Sequence, residues 1–234
     1  MQTDTARLEI RLLTPEQLTL WLDDLPRLER RLECRYRAEP LAGDFRTIVE
    51  MQRTATLADA ASPQWHSFWF LIRKTDRTVV GSAVFKERPD PEGCVEIGYG
   101  LGRAFERNGY MREAVEALCA WALRQEGVRH VTAETNTDGL ASQRLLLKCG
   151  FRERSRAETC RWILSATRRP PQSPVHAIDP HTLHIFSAPS HFIRSGLLLP
   201  AALPSAVIHR HPRLRLLRAT SFINIGIHYF RPVY

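Results

Sequence analysis

The sequence lacks the residue patterns that build a metal centre or a disulfide framework. No Cys-x-x-Cys pair occurs among its 234 residues, and no cysteine and histidine spacing typical of a zinc site is present. The number of cysteines is odd. We therefore expect no bound metal and buried free thiols in a reducing compartment. The five cysteines are Cys34, Cys94, Cys119, Cys149 and Cys160.

The sequence also lacks an apolar run long enough to cross a membrane. The longest one, residues 196–208, is interrupted by Pro200 and Pro204. It falls short of the roughly 20 residues that a spanning helix needs. Residues 1–7 lead into a polar, charged start, unlike a signal peptide. We therefore expect a cytoplasmic location and no membrane partner.

Acidic residues and lysine are nearly absent from residues 165–234, which contain eight arginines, Asp179 and no lysine. This segment carries +7 of the formal net charge of +8, so the first 164 residues carry +1. A nearly neutral body gives no reason to expect nucleic-acid binding. Any affinity for an anionic partner would come from the basic segment alone.

The composition divides the chain at residue 165. Residues 165–234 hold nine of the fifteen prolines and seven of the nine histidines, with no sustained hydrophobic period. A flexible basic tail, a partner-binding extension and a segment not selected to fold are all consistent with this composition. We predict one domain over residues 1–164 and an Arg/Pro/His-rich extension over residues 165–234, flexible or poorly packed.

Hydrophobic residues in the first 164 positions follow the periods of strands and helices. Thr14, Pro15 and Gln17 form a helix start in which Thr14 caps and Gln17 reaches back. Asp138 is expected to cap the last helix, and Gly150 to end it. This order predicts an α+β (mixed α/β) fold with a sheet of about seven strands. The predicted strands cover residues 8–12, 65–73, 78–87, 94–101, 128–136, 151–156 and 159–164; the helices begin near residues 14, 26 (extending to about 37), 43, 109 and 138.

One strand-to-helix junction has the features of an anion site. Residues 95–101 form a strand, a short loop follows, and an amphipathic helix begins near Gly109. Free backbone N–H groups and the helix dipole attract anions there, and glycine permits close approach of a phosphate. Arg107 and Arg112 would add positive charge. The alternative is an ordinary strand-to-helix turn.

Residues 135–151 repeat the order of strand, loop and helix. Two such units in series leave two strand ends side by side, where ligands are commonly bound. The two segments together resemble the GNAT superfamily of N-acetyltransferases, and most closely the branch that contains the ribosomal-protein N-terminal acetyltransferases. The resemblance covers about residues 7–164.

Two motifs carry this resemblance. The family's phosphate loop, Gln/Arg-x-x-Gly-x-Gly/Ala, corresponds to Glu106-Arg107-Asn108-Gly109-Tyr110-Met111, followed by Glu113-Ala114. The later pattern, Asn-x-x-Asn-x-Ala-Ser to Glu-Lys-x-Gly-Phe, corresponds to Asn136, Ala141-Ser142 and Lys148-Cys149-Gly150-Phe151.

The resemblance implies a mostly antiparallel sheet, acetyl-CoA as the co-substrate and direct transfer of the acetyl group to a primary amine. Both a protein N-terminus and a small amine such as a polyamine or an aminoglycoside are open as acceptors, and a homodimer is compatible with the family. The residues implied in acetyl-CoA binding are Tyr99, Gly100, Leu101, Arg107, Asn108, Gly109, Tyr110, Met111, Arg112, Asn136 and Ser142.

Four positions depart from the family pattern. Glu106 replaces Gln or Arg, Met111 replaces a small residue, Gly139 replaces the second Asn, and Leu146 stands where many relatives have a catalytic Tyr. Backbone donors do not depend on side chains, so the loop can still bind phosphate. The departures keep open a non-catalytic acyl-CoA-binding module as the alternative function.

The chemistry needs an amine without its proton, a donor for the charge that develops on the carbonyl oxygen, and a donor for the departing thiolate. Glu96 is the predicted base, since some family members carry a catalytic Glu on this strand; ordering a loop or binding the ammonium is the alternative. Backbone N–H groups of residues 98–101 are the predicted carbonyl donors. Ser142 is the predicted acid for the thiolate, or a serine bonded to its own helix.

Overall fold

The computed structural model describes residues 1–166; the predicted extension, residues 165–234, lies almost entirely outside this range. The described chain contains nine strands and five α-helices. They are β1 Gln2–Asp4, β2 Leu8–Leu12, α1 Pro15–Asp23, α2 Leu25–Leu32, β3 Arg35–Tyr36, α3 Gly43–Ala58, β4 Phe68–Arg73, β5 Thr78–Phe85, β6 Cys94–Leu101, α4 Tyr110–Ala122, β7 His130–Asn136, α5 Leu140–Lys148, β8 Arg152–Arg156 and β9 Thr159–Ser165.

The strands form one mixed sheet in the order β1-β2-β4-β5-β6-β7-β9-β8, and β3 adds to β5. Its pairs are antiparallel except for β6 with β7 and β3 with β5, which are parallel. The α+β architecture predicted from the sequence is confirmed, with nine strands in place of about seven. No helix in the described part of the chain is long and apolar enough to cross a membrane.

Alternate residues of the sheet pack against helices on its two faces. Trp69 and Phe85 contact Trp121 near the end of α4, in a buried cluster that also includes α5. Phe68 and Phe70 instead contact Trp21 of α1, in a cluster shared with α2 and α3. Helices α4 and α5 therefore cover one face, and helices α1 to α3 cover the other.

Two local predictions are wrong. The second predicted helix ends at Leu32 rather than near residue 37, because Glu33 adopts a left-handed conformation (φ 50°) and residues 35–36 pair with β5. Asp138 does not cap α5: the helix begins after Gly139, with no side-chain hydrogen bond at its cap.

The predicted cap of α1 is present and gives a test of local stability. The Thr14 hydroxyl accepts from Gln17 N at 3.2 Å, and Gln17 Oε1 accepts from Thr14 N at 2.9 Å. Replacing Thr14 by alanine should lower the free energy of unfolding by about 1 kcal/mol, because one helical N–H loses its acceptor. Urea denaturation measures the change. Thr14→Ser, which keeps the hydroxyl, should lose much less, and an equal loss would contradict the cap.

Candidate active site

Strands β6 and β7 separate beyond a short parallel pairing. They pair through Glu96 and Thr132, after which β6 continues to Leu101 and β7 to Asn136 with no mutual pairing. The separation opens a cleft at the carboxyl ends of both strands. Its lining residues are Ile97, Gly98, Tyr99, Glu134, Thr135, Asn136, Gly139 and Ser142.

Among the residues that the structure describes, one edge of this cleft is unpaired backbone. Lys86 N donates to Glu96 O at 3.0 Å, and Gly102 N donates to Val80 O at 2.8 Å, so the even-numbered residues of β6 bond to β5. Hydrogen-bonding direction alternates along an antiparallel pair. The N–H and C=O groups of Tyr99 and Leu101 therefore point into the cleft.

The loop before α4 presents a run of free backbone donors. Arg107 and Gly109 have positive φ angles of 61° and 79°, and Gly109 occupies the N-cap of the 13-residue helix α4. Within residues 1–166, the backbone N–H groups of residues 107–112 have no acceptor. Consecutive free N–H groups at a helix N-terminus form an anion site.

Arg7, just before β2, holds this loop in place. Its Nη1 donates to Asn108 O at 2.8 Å, its Nε pairs with Glu113 Oε2 at 2.7 Å, and its guanidinium lies 4.6 Å from the centre of the Tyr110 ring. Burial raises the pKa of Glu113, but hydrogen bonds from Thr5 and Arg7 outweigh it and leave the pKa lowered. The first turn of α4 is therefore fixed to the edge of the sheet.

A family model of the acetyltransferase (GNAT) domain matches residues 7–152, which include the loop and the cleft. The chain belongs to the GNAT acetyltransferase family. This family transfers acyl groups from acetyl-CoA.

One relative and two solved structures are similar to this chain. The uncharacterized N-acetyltransferase YjdG from Bacillus subtilis is 38% identical over 96 residues, which are 41% of this chain and 57% of that protein. The chain thus matches little more than half of that relative's length. The fold is similar to a putative ribosomal-protein-serine acetyltransferase from Vibrio cholerae (TM-score 0.51, 18% identity, 71% of this chain and 98% of that one). It is also similar to the ribosomal-protein-S5-alanine acetyltransferase from Vibrio fischeri (TM-score 0.53, 16% identity, 70% and 96%).

The GNAT domain brings most of the sequence-predicted residues together. Tyr99, Asn136 and Ser142 line the cleft, and Leu101 continues its β6 edge, whereas the backbone groups of Gly100 face β5. Residues 107–111 form the loop and the start of α4. Arg112 is exposed and pairs with Glu116 at 2.7 Å, so its guanidinium is engaged on the helix surface.

The Tyr99 hydroxyl is a buried polar group without a hydrogen bond in the described residues. Burial raises the pKa of Tyr99, and the neighbouring Ser142 side chain partly offsets this rise, although the two hydroxyls do not reach hydrogen-bonding geometry. Buried tyrosine hydroxyls normally have a partner. Leu146, which replaces the family's tyrosine, is fully buried and offers no substitute.

Glu96 lies at the start of the cleft and pairs with Lys86 of the neighbouring strand. Glu96 and Gly98 lie on the same face of β6. A Cβ atom added at Gly98 would lie 3.5 Å from Val84, which belongs to the buried cluster that includes helices α1 to α3. The side chain is therefore on the face opposite α4. The role of Glu96 as the base stays a prediction. The Lys86 ammonium would compete with an acceptor ammonium for the Glu96 carboxylate.

Sequence reasoning missed Glu134, a cleft-lining carboxylate of β7. Thr159, at the start of β9, donates to Glu134 Oε1. No Lys, Arg or His within residues 1–166 forms an ion pair with it. Alternation along β7 from Thr132 would have placed Glu134 on the Glu96 face, but the opening between the strands is not visible in the sequence.

The two histidines of residues 1–166 have structural partners. His66 Nε2 lies 3.0 Å from Asp59, and His130 Nδ1 lies 2.9 Å from the Ser165 hydroxyl. Burial raises the pKa of Cys149 to about 11, so its thiol is not activated as a nucleophile. One side-chain oxygen of Asp90, one of Glu92 and the Cys94 sulfur lie within 4.8 Å of one another, but Asp90 Oδ1 already accepts the backbone N–H groups of the other two residues.

Proposed function

We propose that this protein transfers the acetyl group of acetyl-CoA directly to a primary amine. The observation that carries the proposal is the run of free N–H groups at residues 107–112 beside the cleft between β6 and β7. A diphosphate is the group in CoA that matches consecutive backbone donors at a helix N-terminus. Exposed Arg107 adds charge next to it.

The cleft has the groups that the rest of acetyl-CoA would need. The unpaired β6 edge offers backbone N–H and C=O groups to a pantetheine amide, as a neighbouring strand would. The N–H groups of Tyr99 and Leu101 are aimed where a carbonyl oxygen gains charge when an amine attacks. The Tyr99 and Ser142 hydroxyls supply donors for a departing sulfur. The orphaned Tyr99 hydroxyl and the unpaired strand edge both fit this ligand.

The cleft lining favours an acceptor with a single positive charge. Glu134 is the one carboxylate among the lining residues within 1–166, and Glu96, where the strands begin to separate, is already paired with Lys86. A polyamine would need several negative groups to replace its hydration, whereas a protein N-terminus needs one. The two solved neighbours described above are named for ribosomal proteins, which agrees with a protein acceptor.

The alternative is an acyl-CoA-binding module without catalysis, favoured by Leu146 and by the Glu96–Lys86 pair. Isothermal titration with acetyl-CoA should show binding, and a thiol-release assay should show turnover with peptides that begin with Ser, Ala or Met. Spermidine should be a poorer acceptor than these peptides. Binding without thiol release on any amine would favour the module, and no binding would refute both functions.

A further inference from the structure

We propose that Glu134 receives the ammonium group of the acceptor and removes its proton. This assignment rests on the proposed acetyl transfer and adds the residue that prepares the amine. It differs from the prediction made from the sequence, which places that role on Glu96.

The strand register puts Glu134 beside the point where the strands open. Glu96 pairs with Thr132, so Gly98 and Glu134 are the next two residues on the same face, one on each side of the opening. Gly98 has no side chain to fill the space between them. Ser142 lines the same cleft, so an amine at Glu134 would share this cleft with the hydroxyl that we assign to the departing sulfur.

The surrounding charges leave Glu134 available to a cation. Thr159 donates to Oε1, and Oε2 has no hydrogen bond within residues 1–166. Arg161 is the cross-strand neighbour on β9, but it forms no ion pair in the described part of the chain. Lys86, the residue after β5, forms an ion pair with Glu96 of β6, so these two charges neutralise each other. An ammonium would therefore add the missing partner to Glu134.

In the proposed reaction, the Glu134 carboxylate carries out one step, the removal of a proton from the acceptor. Glu134 Oε2 takes a proton from the acceptor ammonium, and the lone pair so released attacks the acetyl carbon. The C–N bond forms and the C–S bond breaks, so the sulfur leaves with the bonding electrons. The sulfur takes a proton from a hydroxyl at its side, and the second proton of the nitrogen restores that hydroxyl. The proton held by Glu134 passes to the solvent, so both groups end as they began.

The test compares Glu134→Gln with Glu96→Gln, using a peptide acceptor with a free N-terminus. The glutamine amide oxygen in Glu134→Gln can still accept from Thr159, so the fold should be kept. At pH 7, Glu134→Gln should lower kcat/KM for the peptide roughly 100-fold, the scale of general base catalysis. Its Kd for acetyl-CoA should stay within about twofold of the wild type.

Dependence on pH separates proton removal from a structural role. An N-terminal amine has a pKa near 8, so at pH 9 most of it is already neutral and a base contributes little. The deficit of Glu134→Gln should therefore shrink to less than about tenfold at pH 9. Glu126→Gln, at an exposed glutamate in the turn after α4, should match the wild type at both pH values.

Three results would overturn the proposal. One is a Glu134→Gln variant as active as the wild type, and another is a deficit that does not change with pH. The third is a pH-rescued deficit in Glu96→Gln alone, which would return the role to Glu96. In all three the proposed acetyl transfer would stand. A wild-type protein that binds acetyl-CoA but acetylates no amine would refute the proposed function, and this assignment with it.

Discussion

Replacing Gly109 by valine should weaken acetyl-CoA binding at least about tenfold, with little change in the rest of the fold. Gly109 has φ 79°, a region that costs an L-residue roughly 1–2 kcal/mol and a β-branched one more. The loop can relieve this strain by turning its N–H groups away from their common direction. A valine side chain would also cover part of the surface that a diphosphate must approach.

Gly127 provides a matched control for backbone strain. It has φ 80°, it is exposed, and no atom lies within 4 Å of the position of an added Cβ. Gly127→Val therefore introduces a similar strain in the turn before β7. Isothermal titration should show a weakened Kd for Gly109→Val alone, while urea denaturation should show similar losses for both variants. Equal acetyl-CoA affinity in a folded Gly109→Val would refute the role of the loop.

The sequence predicts those elements whose signals are local. Helix α3 begins at the predicted residue and strand β6 has the predicted bounds, because hydrophobic period and flanking turns mark these positions. The helix start at Thr14 is likewise set by residues within one turn. The loop at Gly109 belongs to this class too, since a glycine at a helix start and the residues around it form a contiguous motif.

Features that depend on distant residues escape the sequence. Residues 35–36 have a helical pattern but pair with β5 more than 40 positions away, and this pairing ends α2 early. Whether Glu134 has an ion pair within residues 1–166 depends on where Lys86 and Arg161 lie, and the support of the loop depends on Arg7, about 100 positions earlier. Local propensity contains no information about such pairings, and tertiary contacts override it.

The Tyr99 hydroxyl, which has no hydrogen bond within residues 1–166, predicts that its removal raises stability and weakens acetyl-CoA binding. A buried donor without a partner costs about 1–3 kcal/mol. Tyr99→Phe removes that group and should raise the free energy of unfolding of the ligand-free protein by about 1 kcal/mol. If the hydroxyl is matched to a group of acetyl-CoA, the same variant should bind acetyl-CoA roughly tenfold more weakly, which corresponds to about 1.4 kcal/mol.

Tyr36 gives the comparison for a buried tyrosine whose hydroxyl is already satisfied. Its hydroxyl donates to Glu39 O at 2.6 Å, on the face of the sheet opposite Tyr99. Tyr36→Phe should therefore lower the free energy of unfolding by about 1 kcal/mol and leave acetyl-CoA affinity unchanged. A loss of stability in Tyr99→Phe would mean that the protein itself satisfies this hydroxyl. A hydroxyl that pairs only with the ligand stabilises the bound state more than the free state. Unchanged acetyl-CoA affinity in Tyr99→Phe would therefore show that the ligand does not reach the Tyr99 hydroxyl.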